Sequence, residues 1–147
     1  MATTTPALAA GGSVTTNGHT LSVSTTTLAA GGQSVVVKGK GFDPRIGIYV
    51  TMCVIPPVGQ QPTPCGGGVN MSGSSAASVW VSSNPPPYGA GLAKPFGKNG
   101  TFTVRLSVSS HIGDIDCQTT RCAIVTRADH TRPGDRRADV IVPVTFQ

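Results

Sequence analysis

From residue 20 onward the chain places apolar residues at every second position in short runs, and clusters of Gly, Pro, Asn and Ser separate the runs. Strict alternation of this kind is the signature of strands with one buried face. Leu21 and Val23 start the series, with Thr25 in phase, and Val35 and Val37 follow the Gly31-Gly32 turn before Gly39 and Gly41 interrupt. Ile46, Ile48, Val50 and Met52 share one face of a third strand, with Tyr49 and Cys53 on the other. Val79-Trp80-Val81 marks a fourth. Phe102, Val104, Leu106 and Val108 alternate with polar residues in the clearest strand, 122–127 forms a sixth, and Val140, Val142, Val144 and Phe146 close the series. Pro143 assigns that last strand an edge position or an outward bulge, because proline has no N–H for a ladder. Seven short strands without helical periodicity predict an all-β, antiparallel β-sandwich; a small barrel is the competing arrangement.

Two connections are long: 56–77, which holds Cys65, and 82–99, which holds Pro85-Pro86-Pro87-Tyr88. Loops beyond about 12 residues in a compact domain commonly carry function. The polyproline stretch is stiff, so docking it costs little entropy, and a Tyr after it is an efficient contact residue. Trp80 and Tyr88 equally suit a packing role at one end of the sandwich. Residues 1–19 are mostly small and uncharged, and TTTPALAAGGSV near the start returns as TTTLAAGGQSV further on. Asn17-Gly18 suits a type I′ hairpin turn, while the composition suits a linker. The expected division is a low-complexity N-terminal extension or linker over 1–19 and a β-sandwich domain over 20–147.

Composition sharpens the picture. The chain of 147 residues is 38% hydrophobic and 12% charged, with eleven Lys and Arg against six acidic residues, all of them Asp. The absence of Glu argues further against helices. A net charge of +5 favours acidic partners but is also what keeps an ordinary domain soluble. No run of about 18 apolar residues exists, so no membrane span is expected.

Four cysteines, Cys53, Cys65, Cys117 and Cys122, suggest two local disulfides, 53–65 and 117–122, out of three pairings. Zinc would want Cys-x2-Cys pairs or His in register, and neither occurs. Disulfides imply an oxidising, extracellular or cell-surface location. The N-terminus shows neither a basic start nor an apolar signal core, so the expectation is a mature chain with an added Met or export with a partner.

Candidate chemistry is sparse. There are three His and no Gly-x-Ser-x-Gly or His-Glu-x-x-His motif, and disulfide pairing removes the thiols as nucleophiles, so no enzyme and no catalytic residue is expected. Asp114 and Asp116 lack the further acids of a calcium loop, so no metal site is expected either. Arg121, Arg127, Arg132, Arg136 and Arg137 accompany Asp129, Asp135 and Asp139 around an Arg132-Pro133-Gly134-Asp135 turn. These arginines suit either a grip on carboxylate or phosphate groups or internal ordering of the loop. No aromatic residues interleave with them, which disfavours nucleic acid.

The segment Asp116-Cys-Gln-Thr-Thr-Arg-Cys122, the C-terminal run 139–146, the first two strands through Gly41-Phe42, and Tyr49-Val-Thr-Met-Cys53 resemble the neocarzinostatin family. The resemblance covers about residues 20–147. It implies a secreted actinobacterial β-sandwich of immunoglobulin-like topology with two such disulfides. Well-known members carry a labile enediyne chromophore in an apolar cleft, contacted by aromatic and polar residues near the first disulfide and after the last cysteine. Here those positions hold Val54, Ile55 and Ala123, and no aromatic platform is evident. The segments 41–44, 47–50, 83–89 and 125–131 are closer to surface proteins with neocarzinostatin-like domains, some of which accompany haem-uptake domains.

The resemblance therefore implies a non-catalytic binding module holding an apolar small molecule in a preformed pocket between the Cys53–Cys65 loop, the Pro-Tyr loop and the 117–127 region. Its expected contacts are Ile55, Pro56, Tyr88, Phe96 and Ala123, with no cofactor required. A second reading is an interaction module that binds a protein partner or self-assembles through its N-terminal extension or loops. A third is an accessory domain in haem uptake, with Tyr49, Tyr88 or His130 on the iron.

Overall fold

A computed structural model describes residues 10–66 and 77–147. The strands are β1 (Gly12–Thr16), β2 (His19–Val23), β3 (Thr27–Leu28), β4 (Gln33–Lys40), β5 (Ile48–Val54), β6 (Ser78–Val81), β7 (Phe102–Val108), β8 (His111–Ile112), β9 (Ile115–Asp116), β10 (Cys122–Ala128) and β11 (Val140–Phe146). Two sheets face each other, one in the order β1-β2-β4-β7 and the other β3-β11-β10-β5-β6, with β8 and β9 forming a small separate hairpin. The seven strands read from alternation are all present. The additional ones are two-residue strands and β1.

Asn17 and Gly18 both have positive φ, 52° and 79°, the geometry of a type I′ turn. They fold Gly12–Thr16 back onto His19–Val23 in register. The four-stranded sheet therefore begins at Gly12, inside the stretch read as an extension, while residues 1–9 lie outside the described residues. Among the described strands the pairings are antiparallel except one, in which β3 runs parallel to Thr145 and Phe146 of β11. Pro143 sits on β11 where β3 does not reach, so its missing N–H breaks no ladder bond on that side.

Between the sheets, Leu21, Val23, Val35, Val37, Val104 and Leu106 pack against Ile48, Val50, Met52, Ile124, Val140 and Val142. Each such side chain contributes about 1.5–3 kcal/mol by leaving water. Phe42, Phe96 and Phe102 gather at one end of this core.

The two central strands β5 and β10 break the period of two, since every residue of β10 and all but the last of β5 are buried. Their outward-facing side chains are covered as well. That cover comes from the 55–66, 82–97 and 129–139 loops, which lie over the outer face of the five-stranded sheet. Disulfides pin this arrangement: Cys53–Cys65 ties the first loop to β5, and Cys117–Cys122 ties the small hairpin to β10.

Candidate functional site: the covered outer face of the five-stranded sheet

The outward row of β5 is Tyr49, Thr51 and Cys53, and the adjoining row of β10 is Arg127, Val125 and Ala123. Tyr49 and Arg127 mark one end of the face, and Cys53 and Ala123 the other. The two ends have different chemistry.

At the Tyr49 end, aromatic groups close the surface. Trp80 lies beside Tyr49, Tyr88 and His130, with ring centroids 6.4, 6.5 and 5.1 Å away. Its indole N–H donates to Asp129 Oδ2 at 2.9 Å, and Asp129 Oδ1 accepts from the Thr131 backbone N–H at 2.9 Å. The Tyr49 hydroxyl is hydrogen-bonded to His130 Nδ1, and the Tyr88 hydroxyl to His130 Nε2 at 2.5 Å. One imidazole thus ties two phenols on different elements. Burial pushes the Tyr49 hydroxyl up to about 12, so it stays a neutral phenol. Gly89 rests on the indole so closely that a Cβ there would lie 2.4 Å from the ring. This end is a packed lock on the 82–97 loop.

At the Cys53 end, Cys53, Ala123 and Val125 form a small second core, with Ile55, Cys65 and Ile141 packed on it. A groove runs along its edge above β11. One concavity, of about 410 Å³, is walled by Ile55, Pro143, Phe146 and the Cys117–Cys122 segment. A second, of about 360 Å³, is walled by Ile55, Pro56, Pro57, Val58 and Ile141, with Arg136 and Asp139 at its polar edge. The two meet at Ile55.

Charged groups stand behind the second concavity. Arg127 is 9% exposed and donates from Nη1 to Pro62 O at 2.6 Å, while its Nε has no partner. Burial is the main cause that lowers its pKa, with Arg136 nearby adding to the effect. Arg136 donates from Nη2 to Pro133 O at 2.8 Å and forms an ion pair with Asp139 across 3.1 Å. The ion pair runs from Nη1 to Oδ2; neither Arg136 Nη1 nor the other carboxylate oxygen, Asp139 Oδ1, makes a hydrogen bond among the described residues. Burial raises the Asp139 carboxyl to about 6, against the opposing pull of Arg136 and Arg127. The tip of the same loop is held internally, since Arg137 grips Asp135 through 2.6 and 3.0 Å contacts and holds that carboxyl at about 2.

Among the residues expected at a site, Ile55 and Pro56 line the groove. Ala123 is fully buried beneath it, opposite Cys53. Tyr88 belongs to the aromatic lock, and Phe96 packs against Phe42 and Phe102 in the main core. The structure thus joins three of the five at one end of the outer face and places the other two elsewhere. Arg136, Asp139 and Ile141 were not singled out as contacts. Ile141 carried a signal as an apolar residue on the outward phase of its strand, and Arg136 and Asp139 belong to the charged cluster around the Arg132–Asp135 turn that suited either an anion grip or internal ordering of the loop. Asp116 accepts from the Gln118 N–H at 2.9 Å in a turn before Cys117. Among the described residues no group of three or more His, Cys, Asp or Glu could hold a metal ion, and no helix is long and apolar enough to cross a membrane.

Two facing sheets, a disulfide at the end of β5 and another at the start of β10 define a disulfide-pinned β-sandwich of the neocarzinostatin type. The model of the neocarzinostatin family matches residues 21–146, and the chain belongs to that family. Among solved structures, macromomycin is similar with a TM-score of 0.53 and 18% identity, over 93% of this chain and 99% of that one. At that identity the likeness speaks to the fold. Comparison with curated proteins finds no match.

Proposed function

We propose that the protein is a non-catalytic binding module, secreted or displayed at the cell surface, that holds an apolar small molecule in the groove above β11. The observation that carries this reading is the pair of concavities meeting at Ile55, each a few hundred Å³: the second is walled mainly by Ile55, Pro56, Pro57, Val58 and Ile141, and the first joins Ile55, Pro143, Val144 and Phe146 to the more polar Cys117–Cys122 segment. Ligand sites of this kind are concave, mostly apolar and largely preformed. Family membership supports the reading, because carriage of an apolar chromophore is known among neocarzinostatin-type proteins. The two disulfides fit an oxidising location.

The test is a fluorescence titration with N-phenyl-1-naphthylamine, an uncharged apolar probe. Saturable binding to the folded protein at one site is expected, weakened about tenfold in Ile55→Gln. Absence of saturable binding, or equal binding by the variant with its fold intact, overturns the assignment to this groove.

A further inference from the structure

The charge around the groove's polar edge does not balance. Arg127, Arg136 and Arg137 face Asp135 and Asp139. Arg137 and Asp135 satisfy each other in a fork-like contact, which leaves Asp139, ion-paired with Arg136, as the one carboxylate set against the two remaining guanidiniums. Arg127 is 9% exposed and has no acid within ion-pairing distance; its partner is a backbone carbonyl, and its Nε–H meets no acceptor among the described residues. A buried guanidinium of this kind ordinarily has an anion beside it. The opening lies on the side of Arg136, whose side chain keeps 23% of its surface exposed where it lines the groove.

We propose that the groove's occupant carries, on its apolar body, one anionic group of the carboxylate or sulfonate type, which sits against Arg136 and neutralises the unbalanced guanidinium charge. This rests on the groove being the binding site. The aliphatic wall of Ile55, Pro56, Pro57 and Ile141 receives the body. Arg136, already oriented by its bond to Pro133, offers N–H donors in a planar fork that suits such an anion. Asp139 opposes the incoming charge, so it sets the affinity: the site is stronger for anions when that carboxylate is neutral. Arg136, Arg127 and Asp135 are the charged groups that act on it.

A matched pair of probes tests this in the full chain. 8-Anilino-1-naphthalenesulfonate has the same ring system as N-phenyl-1-naphthylamine plus one sulfonate. The expected result is about tenfold tighter binding of the sulfonate than of the neutral probe at neutral pH. Arg136→Gln should erase that preference, Arg136→Lys should keep part of it, and Asp139→Asn should enlarge it. If the neutral probe binds and the sulfonate binds no better, the anion proposal fails while the groove stands. If neither binds, both fail. A preference that survives in Arg136→Gln also overturns the proposal, and the opposite sign expected for Asp139→Asn separates a charge effect from loss of folding.

Discussion

Replacing Asp139 with asparagine should make the protein more stable at neutral pH and leave it unchanged in acid. The carboxyl has an ordinary value of 3.8 and stands at about 6 in the folded chain, with burial as the leading cause. A group whose folded value is raised contributes stability that is full below its unfolded value and is lost as pH climbs through the folded one. The ionised side chain therefore costs the wild type stability above about pH 6, and asparagine removes that cost. A rise from 3.8 to about 6 corresponds to about 3 kcal/mol before solvent screening. The side chain keeps 15% of its surface open and shares a partly exposed pair with Arg136, so about 1–2 kcal/mol is the working magnitude. Urea titrations followed by Trp80, the chain's one tryptophan, should show the difference at pH 7.5 and its disappearance near pH 3.5. Asp43 and Asp135, held at about 2 by Arg45 and Arg137, are present in both proteins and cancel. An equal difference at both pH values, or a less stable variant at pH 7.5, would refute the reasoning.

The aromatic lock and the first disulfide make separate claims. Tyr88→Phe keeps the ring on Trp80 and removes the bond to His130, so a loss of about 0.5–1.5 kcal/mol is expected, with faster amide exchange confined to the 85–94 loop; unchanged exchange there would contradict the lock. Removing the Cys53–Cys65 bridge by a double Ala substitution should cost about 2–3 kcal/mol on the loop-entropy account and weaken N-phenyl-1-naphthylamine binding, because Ile55 and Pro56 lose their tether. Binding that survives intact would move the site away from that loop.

What the sequence displayed depended on how each strand is buried. β7 has polar residues on one face and apolar on the other, so buried and exposed positions alternate along Phe102–Val108, and its pattern is plain in the chain. β10 is buried on both faces, so Ala123-Ile124-Val125-Thr126-Arg127 carries no alternation, and the layer of loops above it left no periodic trace. β1 is built from Ser, Thr and Val at an exposed edge, so its strand character lay in the Asn17-Gly18 turn more than in hydrophobicity. The candidate site was legible where cysteines marked it and in the arginine cluster that includes Arg136. Ile55 and Pro56 follow Cys53 closely, whereas Arg136 and Asp139 reach the groove through a loop return and the Val125–Ile141 register. Tyr88 and Phe96 lie in one loop yet dock on different layers, a divergence that local sequence does not encode.

On the proposed reading, the outer layer lets a groove of this shape bind without closing. Both loops that wall it are fixed by groups outside it. The 55–66 loop is held by the Cys53–Cys65 bridge, by Arg127 on Pro62 and by the Thr51 hydroxyl 2.7 Å from Gly66 O. The 129–139 loop is held by Asp129 on Trp80 and by Arg137 on Asp135. Walls fixed in this way have little ordering entropy left to lose on binding. Affinity then depends on how well the occupant fills the aliphatic wall and whether its charge answers Arg136. The same anchoring makes the buried Arg127 tolerable: its guanidinium serves as a strut to Pro62 and, behind Arg136, as the source of the positive field at the groove's edge.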